Sequence, residues 1–434
     1  MKQTLFFCLI LFQAVCIFAN DQQMATHDLD YLLKTAALNA DKIRYKYEDY
    51  NLAKKYSDIA RATLYPRLSS YLEYSRFWKE SLDQPKWVGG WGLTLSQSMT
   101  LNGKELIYYR ISQQNEKYTY YELWRRTETY LFEVAHAYYS VLKSQKTIEI
   151  TDANVRRLNK HQQAVADRLS VNEVAKTALF RAKAELSDAH TENKRASNAN
   201  RIARASLARM VCIPNTFEIK EPEEKNFKKR SLETWIKQGL DNRAELKSIN
   251  IQDQMATDQI DVAMGDYWPS LSIEGNYYDS EDNKPYDPDY NISGAVKLNY
   301  SFYDGGMRKA EVSKARIEKK RMQYLIQDIT RDVSLEIETA FLELNTEISM
   351  LQALQDQLTY SQENYTAVTN QFNYGLANSV DVMDANTLLL TSEQQLAEAQ
   401  YDIQMAQIKM DYVSGVFLKD LVERTQLRVE DLSK

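Results

Sequence analysis

The aspartates Asp381 and Asp384 have the residue type and spacing to bind a cation. They are three positions apart in a segment with helical periodicity, so both carboxylates are expected on one helix face. The apolar positions beside that face are Val382, Ala385 and Leu389. Crowded carboxylates would bind cations and favour cationic solutes. A second interpretation makes both residues helix-start acids stabilised by the helix dipole, with Asn378 or Ser379 as the N-cap.

The sequence contains no catalytic or metal-binding motif. The residue patterns of zinc proteases, phosphate-binding loops, serine hydrolases and Cys/His zinc sites do not occur. The four histidines are scattered, and we interpret each as a solvated side chain on a helix surface: His27, His136, His161 and His190. The 12 methionines are dispersed as well. We therefore predict that the protein is not an enzyme and holds no metal or other cofactor.

The composition favours long, uninterrupted helices. The 434 residues include only 12 glycines and 7 prolines, well below average usage. The mean hydropathy of −0.54 excludes a protein built mainly of transmembrane helices. A net charge of −6 offers no basic surplus to neutralise a phosphate backbone, so we predict no nucleic-acid partner.

Residues 1–19 are predicted to form a secretory signal peptide. An apolar run follows Lys2 and ends at a cleavage site near Ala19. One alternative is an uncleaved anchor, for which the apolar run is short. The other is lipidation of Cys16, although the residues before it fit a lipoprotein signal poorly. We expect the mature chain to leave the cytosol with one cysteine, Cys212.

The chain repeats one order of elements at an offset of 203 residues. Each half is predicted as helix, proline, strand, polar loop, strand, glycine and a long helical stretch. Pro66 matches Pro269 in this alignment, and Gly103 matches Gly306. The predicted parts are repeat 1 (20–212), an equatorial linker (213–231), repeat 2 (232–415) and a C-terminal equatorial tail (416–434). Linker and tail occupy matching places, so we expect them to meet partway along the molecule.

Four segments alternate apolar and polar residues with the period of a β-strand. They are predicted at about 65–78, 90–102, 268–280 and 291–303. Each has the length of about ten residues that a tilted strand needs to cross a bilayer, and aromatic residues gather at the ends. The alternative is a half-buried sheet of a soluble protein with ordinary aromatic edges.

The remaining stretches have the apolar spacing of coiled coils. The predicted long helices are 104–171, 173–211, 306–374 and 379–414. Gly375 separates the last two, and Asn172 takes the equivalent place between the first two. Both residue types tolerate the positive φ of a helix–helix turn. A helix as long as the first would reach roughly 100 Å, so the predicted molecule is a rod.

Four membrane strands from one chain cannot close a barrel. Each open edge would leave unpaired backbone groups in lipid, at several kcal/mol per group. Copies of the chain must therefore complete the barrel, and a lumen open to solutes favours three copies over two. The predicted fold class is mainly α with a membrane β section. The alternative is a cell-surface or periplasmic coiled-coil protein, structural or adhesive, without a pore.

These features together resemble the TolC family of outer-membrane factors, the outer membrane efflux proteins. The leader, the repeat and the proline-led strands carry the resemblance, with the run 300–306 and Gly375 followed by 380–385. The resemblance implies a homotrimer, with a twelve-stranded β-barrel in outer-membrane lipid and a twelve-helix α-barrel across the periplasm. It also implies a periplasmic adaptor (membrane fusion) protein and an inner-membrane transporter as partners. The function would be passive conduction in tripartite efflux or type I secretion.

The resemblance also assigns roles to residues at the periplasmic mouth. Asp381 and Asp384 take the positions of selectivity rings, and Phe372 that of an aromatic residue involved in closure. Ala377 stands where family members carry an arginine that ties the mouth shut, and Ser170 stands where they carry its acidic partner. Closure is therefore expected to depend on packing by Phe372 and on adaptor contacts. The cargo does not follow from the sequence, because the transporter selects it.

Overall fold

The computed structural model describes residues 26–78, 86–222, 230–280 and 290–426. The predicted signal peptide and Cys16 lie outside these residues, as do the middle of the linker and the last eight residues of the tail.

The two halves of the chain consist of long helices and a few strands. The first half contains β1 (Thr26–His27), α1 (Leu29–Asn39), α2 (Asp41–Ala62), β2 (Arg67–Arg76), β3 (Trp87–Thr100), α3 (Lys104–Ser170) and α4 (Lys176–Val211). The second half contains β4 (Glu218–Ile219), α5 (Leu232–Asn242), α6 (Ala244–Gly265), β5 (Ser270–Ser280), β6 (Tyr290–Asn299), α7 (Met307–Asn373), α8 (Ser379–Val413) and α9 (Phe417–Thr425).

The bounds of the helices correspond between the halves. Shifting α1, α2 and α3 by 203 residues reproduces the bounds of α5, α6 and α7 residue for residue. The backbone turns correspond too: φ is 62° at Asn172 and 79° at Gly375, and it is 60° at Cys212 and 69° at Gly415. Within these helices and turns, we call the residue 203 positions away the counterpart.

Local sequence explains where the helices begin and why two of them are so long. Asp28 caps α1 by accepting a hydrogen bond from the Tyr31 N–H at 2.8 Å. Its counterpart, Ser231, caps α5 through the Thr234 N–H. Neither α3 nor α7 contains glycine or proline, so each continues for 67 residues, a length of about 100 Å. None of the described helices is both long and apolar enough to cross a membrane.

The four longest helices pack side by side in the order α4, α3, α8 and α7. A first apolar cluster joins α1, α3, α4 and α9, with Tyr138 and Phe217 among its buried side chains. A second cluster joins α5, α6, α7 and α8 around Ile337 and Met410. Linker and tail share the first cluster, because Phe217 comes from the linker and Leu421 from the tail.

The longer strands form one antiparallel sheet in the order β2, β3, β5 and β6. Within the described residues, β2 and β6 have one neighbour each and are the edges of this sheet. Their apolar side chains are uncovered: Leu72 is 86% exposed and Ile292 is 73% exposed. Within the described residues, each edge strand therefore has one unpaired edge, and its apolar side chains have no cover.

Strand β6 is shorter than the predicted 291–303, because it ends at Asn299. Ser270, the first residue of β5, pairs with Asn299. The next partner on β5 would be Pro269, which has no N–H to donate to a ladder. Residues 300–303 therefore leave the sheet. Strand β3 differs in the opposite sense, beginning at Trp87 rather than near residue 90.

The linker and the tail contain elements that the sequence interpretation lacks. In the linker, β4 pairs in parallel with β1, through Thr26 with Glu218 and His27 with Ile219. The tail contains α9, whose Phe417, Leu418 and Leu421 are buried in the first cluster. This helix forms because these apolar residues recur at helical spacing after the turn at Gly415.

Candidate functional site

The turn between α3 and α4 lies beside the turn between α7 and α8. At the end of α7, the Leu376 N–H donates to the Gln371 carbonyl at 2.8 Å, across Gly375. At the end of α3, the Glu173 N–H donates to the Arg168 carbonyl at 3.0 Å. These bonds are the helix-ending pattern that needs a left-handed residue, which Gly375 and Asn172 supply.

Phe372 holds the two turns together. Its side chain is 1% exposed. It forms an apolar group with Val165 from α3, Ala182 from α4 and Val382 from α8. We call these four residues the turn cluster. Phe372 is therefore a core residue of this end of the molecule within a single chain.

Arg168 connects α3 to α7 at the same place. Its guanidinium lies 4.6 Å from the centre of the Phe372 ring, and its Nη2 donates to the Asn373 carbonyl at 2.8 Å. Ser170, in contrast, donates to the carbonyl of Asp167 in its own helix. Sequence analysis missed Arg168, although an arginine in the last turn of a helix is suited to reach free carbonyl groups.

His161 is buried, so the prediction of a solvated side chain was wrong for this histidine. It is 7% exposed, and its Nε2 lies 2.8 Å from the Ser379 Oγ at the start of α8. Its ring lies 5.1 Å from that of Phe372. The cause is the contact between α3 and α8, which covers this face of α3. Burial lowers the pKa of the imidazole. His136 and His190 are exposed.

Asp381 and Asp384 are both exposed, and their contacts differ. Asn378 is the N-cap of α8, and its Oδ1 accepts from the Val380 and Asp381 N–H groups. The Asp381 carboxylate accepts in return from the Asn378 N–H at 2.8 Å, which completes a capping box. Asp384 forms no hydrogen bond or ion pair with any described residue. Asp381 therefore stabilises its own helix, whereas the Asp384 carboxylate has no partner among the described residues.

Polar contacts fix α8 against α3 above the turns. Asn386 donates to the Asn154 Oδ1 at 2.8 Å in a buried position. Arg157 donates to both carboxylate oxygens of Glu393, at 3.0 and 2.9 Å, and to the Asn386 Oδ1. Such directional bonds specify one register between the two helices. They hold Asp381 and Asp384 at a fixed place relative to α3.

No group of three or more His, Cys, Asp or Glu side chains in the described part of the chain has the arrangement to hold a metal ion. Cys212 is a free, exposed thiol at the end of α4.

Comparison with known proteins shows which proteins this chain is similar to. The sequence pattern of the outer membrane efflux proteins matches residues 235–416. TolC of Salmonella enteritidis is 22% identical over 422 residues, which cover 89% of this chain and 82% of that protein. The alkaline protease secretion protein AprF of Pseudomonas aeruginosa is 21% identical, with 94% of this chain and 88% of AprF covered.

Solved structures share the fold over most of the chain. A membrane protein from Pseudomonas aeruginosa has a TM-score of 0.82 at 16% identity, covering 90% of this chain and 91% of the other. The outer membrane channel CmeC of Campylobacter jejuni has a TM-score of 0.80 at 15% identity, with 93% and 89% covered. The resemblance noted in the sequence is therefore confirmed: part of the chain matches the outer membrane efflux proteins, and most of its length is similar to TolC and AprF.

Proposed function

We propose that the protein is a passive exit duct in the outer membrane for solutes or polypeptides delivered from the inner membrane. The observation that carries this proposal is a sheet whose two edge strands each have an unpaired edge and exposed apolar side chains. This sheet lies at one end of a row of four helices, two of which are about 100 Å long. Lipid would cover the apolar side chains, and the helices would extend the conduit across the periplasm.

A homotrimer would close this conduit. Edge strands β2 and β6 would pair between neighbouring copies, so that three copies form a twelve-stranded barrel with no open edge. The four long helices of each copy would likewise form a twelve-helix tube. The matching helix bounds of the two halves support an internal duplication. Three copies with two similar halves each would give this tube approximate sixfold symmetry.

The relatives favour efflux or secretion as the setting. One relative is named for secretion of an alkaline protease, and the matched family is named for efflux. Such a duct has no energy source of its own. We therefore propose a periplasmic adaptor protein and an energised inner-membrane transporter as partners, with the transporter selecting the cargo.

The turn end of the molecule would be the periplasmic gate. In a trimer, the free Asp384 carboxylates would form a ring that attracts cations, with the Asp381 carboxylates beside them. Phe372 packing and the Arg168 bond to Asn373 would hold each copy's two turns together. This arrangement needs no ion pair at Ala377 or Ser170.

The test is expression of the whole chain with its leader, followed by fractionation. A duct should require detergent for extraction, run as a heat-sensitive trimer and conduct ions in planar bilayers. The N-terminus of the purified protein should lie near Asn20 if the signal peptide is removed. A monomer that is soluble without detergent would contradict the duct and favour the coiled-coil alternative without a pore.

A further inference from the structure

One face of the four-stranded sheet is polar. Directly paired residues share a face, so the register puts Ser69, Thr94 and Asn276 on this face together with Glu274 and Lys297. The last two form an ion pair at 2.7 Å. The leucines and isoleucines of the four strands all lie on the opposite face, which we call the lipid face. In the proposed barrel, the polar face would therefore line the lumen.

Two tyrosines lie on this polar face and cover the strand between them. Tyr71 of β2 and Tyr278 of β5 both pair with Gly92 of β3, from opposite sides. A Cβ atom on Gly92 would lie 2.6 Å from the Tyr71 Cζ, and one on Gly90 would lie 2.8 Å from the Tyr278 Cζ. The two rings therefore occupy the space that side chains of β3 would fill, and only glycine leaves room for them.

The two rings form one aromatic surface, which we call the tyrosine platform (Tyr71 and Tyr278). Their centres are 6.1 Å apart, and their planes differ by 12°. Because each ring lies across β3, one of its faces is turned to the strand and the other to the lumen. The face of an aromatic ring carries negative electrostatic potential, so it stacks on planar groups and attracts cations.

A carboxylate lies beside the tyrosine platform. Glu73 is the second residue after Tyr71 on β2, so it lies on the same face, and it pairs with Gly90, over which the Tyr278 ring lies. Its side chain is exposed, and its Oε1 accepts a hydrogen bond from the Ser75 Oγ at 3.1 Å. Among the residues that the structure describes, Glu73 forms no ion pair. An uncompensated negative charge therefore lies next to two aromatic faces.

We propose that Tyr71, Tyr278 and Glu73 form a lumenal binding site for aromatic organic cations. The ring of such a ligand would stack on the tyrosine platform, and its cationic group would lie near the Glu73 carboxylate. The inference rests on the proposed duct, because the polar face lines a lumen only when the sheet is closed into a barrel. A homotrimer would contain three such sites at one level. Weak binding suits a duct, because a solute that binds there must also leave.

Titration of the whole chain in detergent with benzyltrimethylammonium tests the site. Saturation-transfer difference NMR follows the binding and gives the Kd. Asp381→Asn with Asp384→Asn serves as the background, so that the proposed gate does not bind the probe. We expect saturable binding in this background, and its absence from a conducting oligomer would overturn the site.

Tyrosine variants on the two faces of the sheet test the platform. Tyr71→Leu or Tyr278→Leu should raise the Kd about threefold to tenfold, because a stacking face is lost. Tyr74→Leu and Tyr277→Leu are matched controls, since these tyrosines belong to the same strands but lie on the lipid face. They should leave the Kd unchanged. An equal effect on both faces would overturn the platform.

A charge variant tests the carboxylate. Glu73→Gln should raise the Kd for benzyltrimethylammonium about threefold or more and leave that for neutral benzyl alcohol unchanged. Glu274→Gln is the matched control, because it removes an equal charge from the same face, four residues from Tyr278 along β5. If it weakened binding as much as Glu73→Gln does, the carboxylate would have no specific place in the site.

Gly92→Ala tests the geometry without removing any side chain of the site. The added Cβ would displace the Tyr71 ring from β3, so the Kd should rise as it does for Tyr71→Leu. Gly275→Ala is the control, because its Cβ would meet no atom within 4 Å. Oligomers that conduct ions but bind the probe equally in all variants would overturn the site and leave the duct standing. A chain that neither assembles nor conducts would overturn the duct itself.

Discussion

Arg168, in the last turn of α3, donates a hydrogen bond from Nη2 to the Asn373 carbonyl at the end of α7, at 2.8 Å. The same guanidinium covers the ring of Phe372. The side chain of Arg168 therefore joins the ends of the two 67-residue helices, at the end of the molecule proposed as the gate. A cation at the carbonyl end of a helix also interacts favourably with the helix dipole.

Removing this bond should loosen the gate. For Arg168→Ala we expect a higher single-channel conductance in planar bilayers and a loss of about 1–2 kcal/mol in local stability, because a charge-assisted bond and a cation–π contact disappear. Limited proteolysis should cut faster at the two turns. Arg156→Ala, an exposed arginine of the same helix, is the control. Equal conductance in both variants would remove Arg168 from the gate.

The two aspartates should separate by role. Asp384→Asn should weaken cation selectivity and block by multivalent cations, while thermal stability stays unchanged. Asp381→Asn should lower stability by about 1 kcal/mol, because the capping box loses its carboxylate. Asp381→Ala with Asp384→Ala should raise conductance and abolish the block. Block that persists in the double variant would contradict a selectivity role for both residues.

Glu128 should make stability depend on pH. It is 5% exposed and accepts from the Leu418 N–H of α9 at 3.3 Å, and burial raises the pKa of its carboxyl to about 7. The unfolded chain ionises near pH 4.5, so the folded state holds the proton more tightly. Stability from this group is complete below pH 4.5 and declines as pH rises to 7, by up to about 3 kcal/mol.

Glu128→Gln should therefore raise the unfolding temperature at about pH 8 relative to the wild type and leave it nearly unchanged at about pH 4.5. Differential scanning calorimetry at both values measures the difference. Glu133→Gln, an exposed glutamate on the same helix, should change neither. A Glu128→Gln variant that is destabilised equally at both pH values would contradict the assignment and leave only a structural bond to α9.

His161 should have the opposite pH dependence. Burial lowers the pKa of the imidazole below its ordinary value of 6.5, so the unfolded chain takes up the proton first as pH falls. The turn cluster should therefore loosen below about pH 6.5 and be intact above it. Cleavage at the turns, followed from about pH 7.5 to about pH 5, measures this. His161→Asn should cleave at one rate throughout, whereas the exposed His136→Asn should behave as the wild type.

The spacing of apolar residues in the sequence was sufficient to predict the bounds of the long helices to within one residue. The helix predicted over 104–171 spans Lys104–Ser170, and the one over 379–414 spans Ser379–Val413. These bounds follow from local chemistry, since Asn172 and Gly375 take the left-handed backbone that ends a helix. The end of β6 depends on pairing with β5, and a pattern within one strand contains no information about its neighbour.

In the candidate site, too, the features set by local sequence could be predicted and those set by tertiary packing could not. Asn378 could be named as a cap because capping is local, and the structure has it bonded to Asp381. His161 and Arg168 act across helices, and their spacing on α3 does not reveal which flank faces α8 or α7. Only the packing order of the four helices decides that, and it comes from the tertiary fold.

Because α7 is long and has no break, a rotation at one point of the helix displaces its distant end. From Ile337 in the second cluster to Asn373 there are about 36 residues, a distance of roughly 54 Å. With no glycine or proline to bend at, a rotation of about 5° at the cluster would move the tip by about 5 Å. Small rearrangements of the second cluster would thereby be magnified at the end proposed as the gate. A partner that binds at the level of this cluster would change the width of the proposed gate without contacting it.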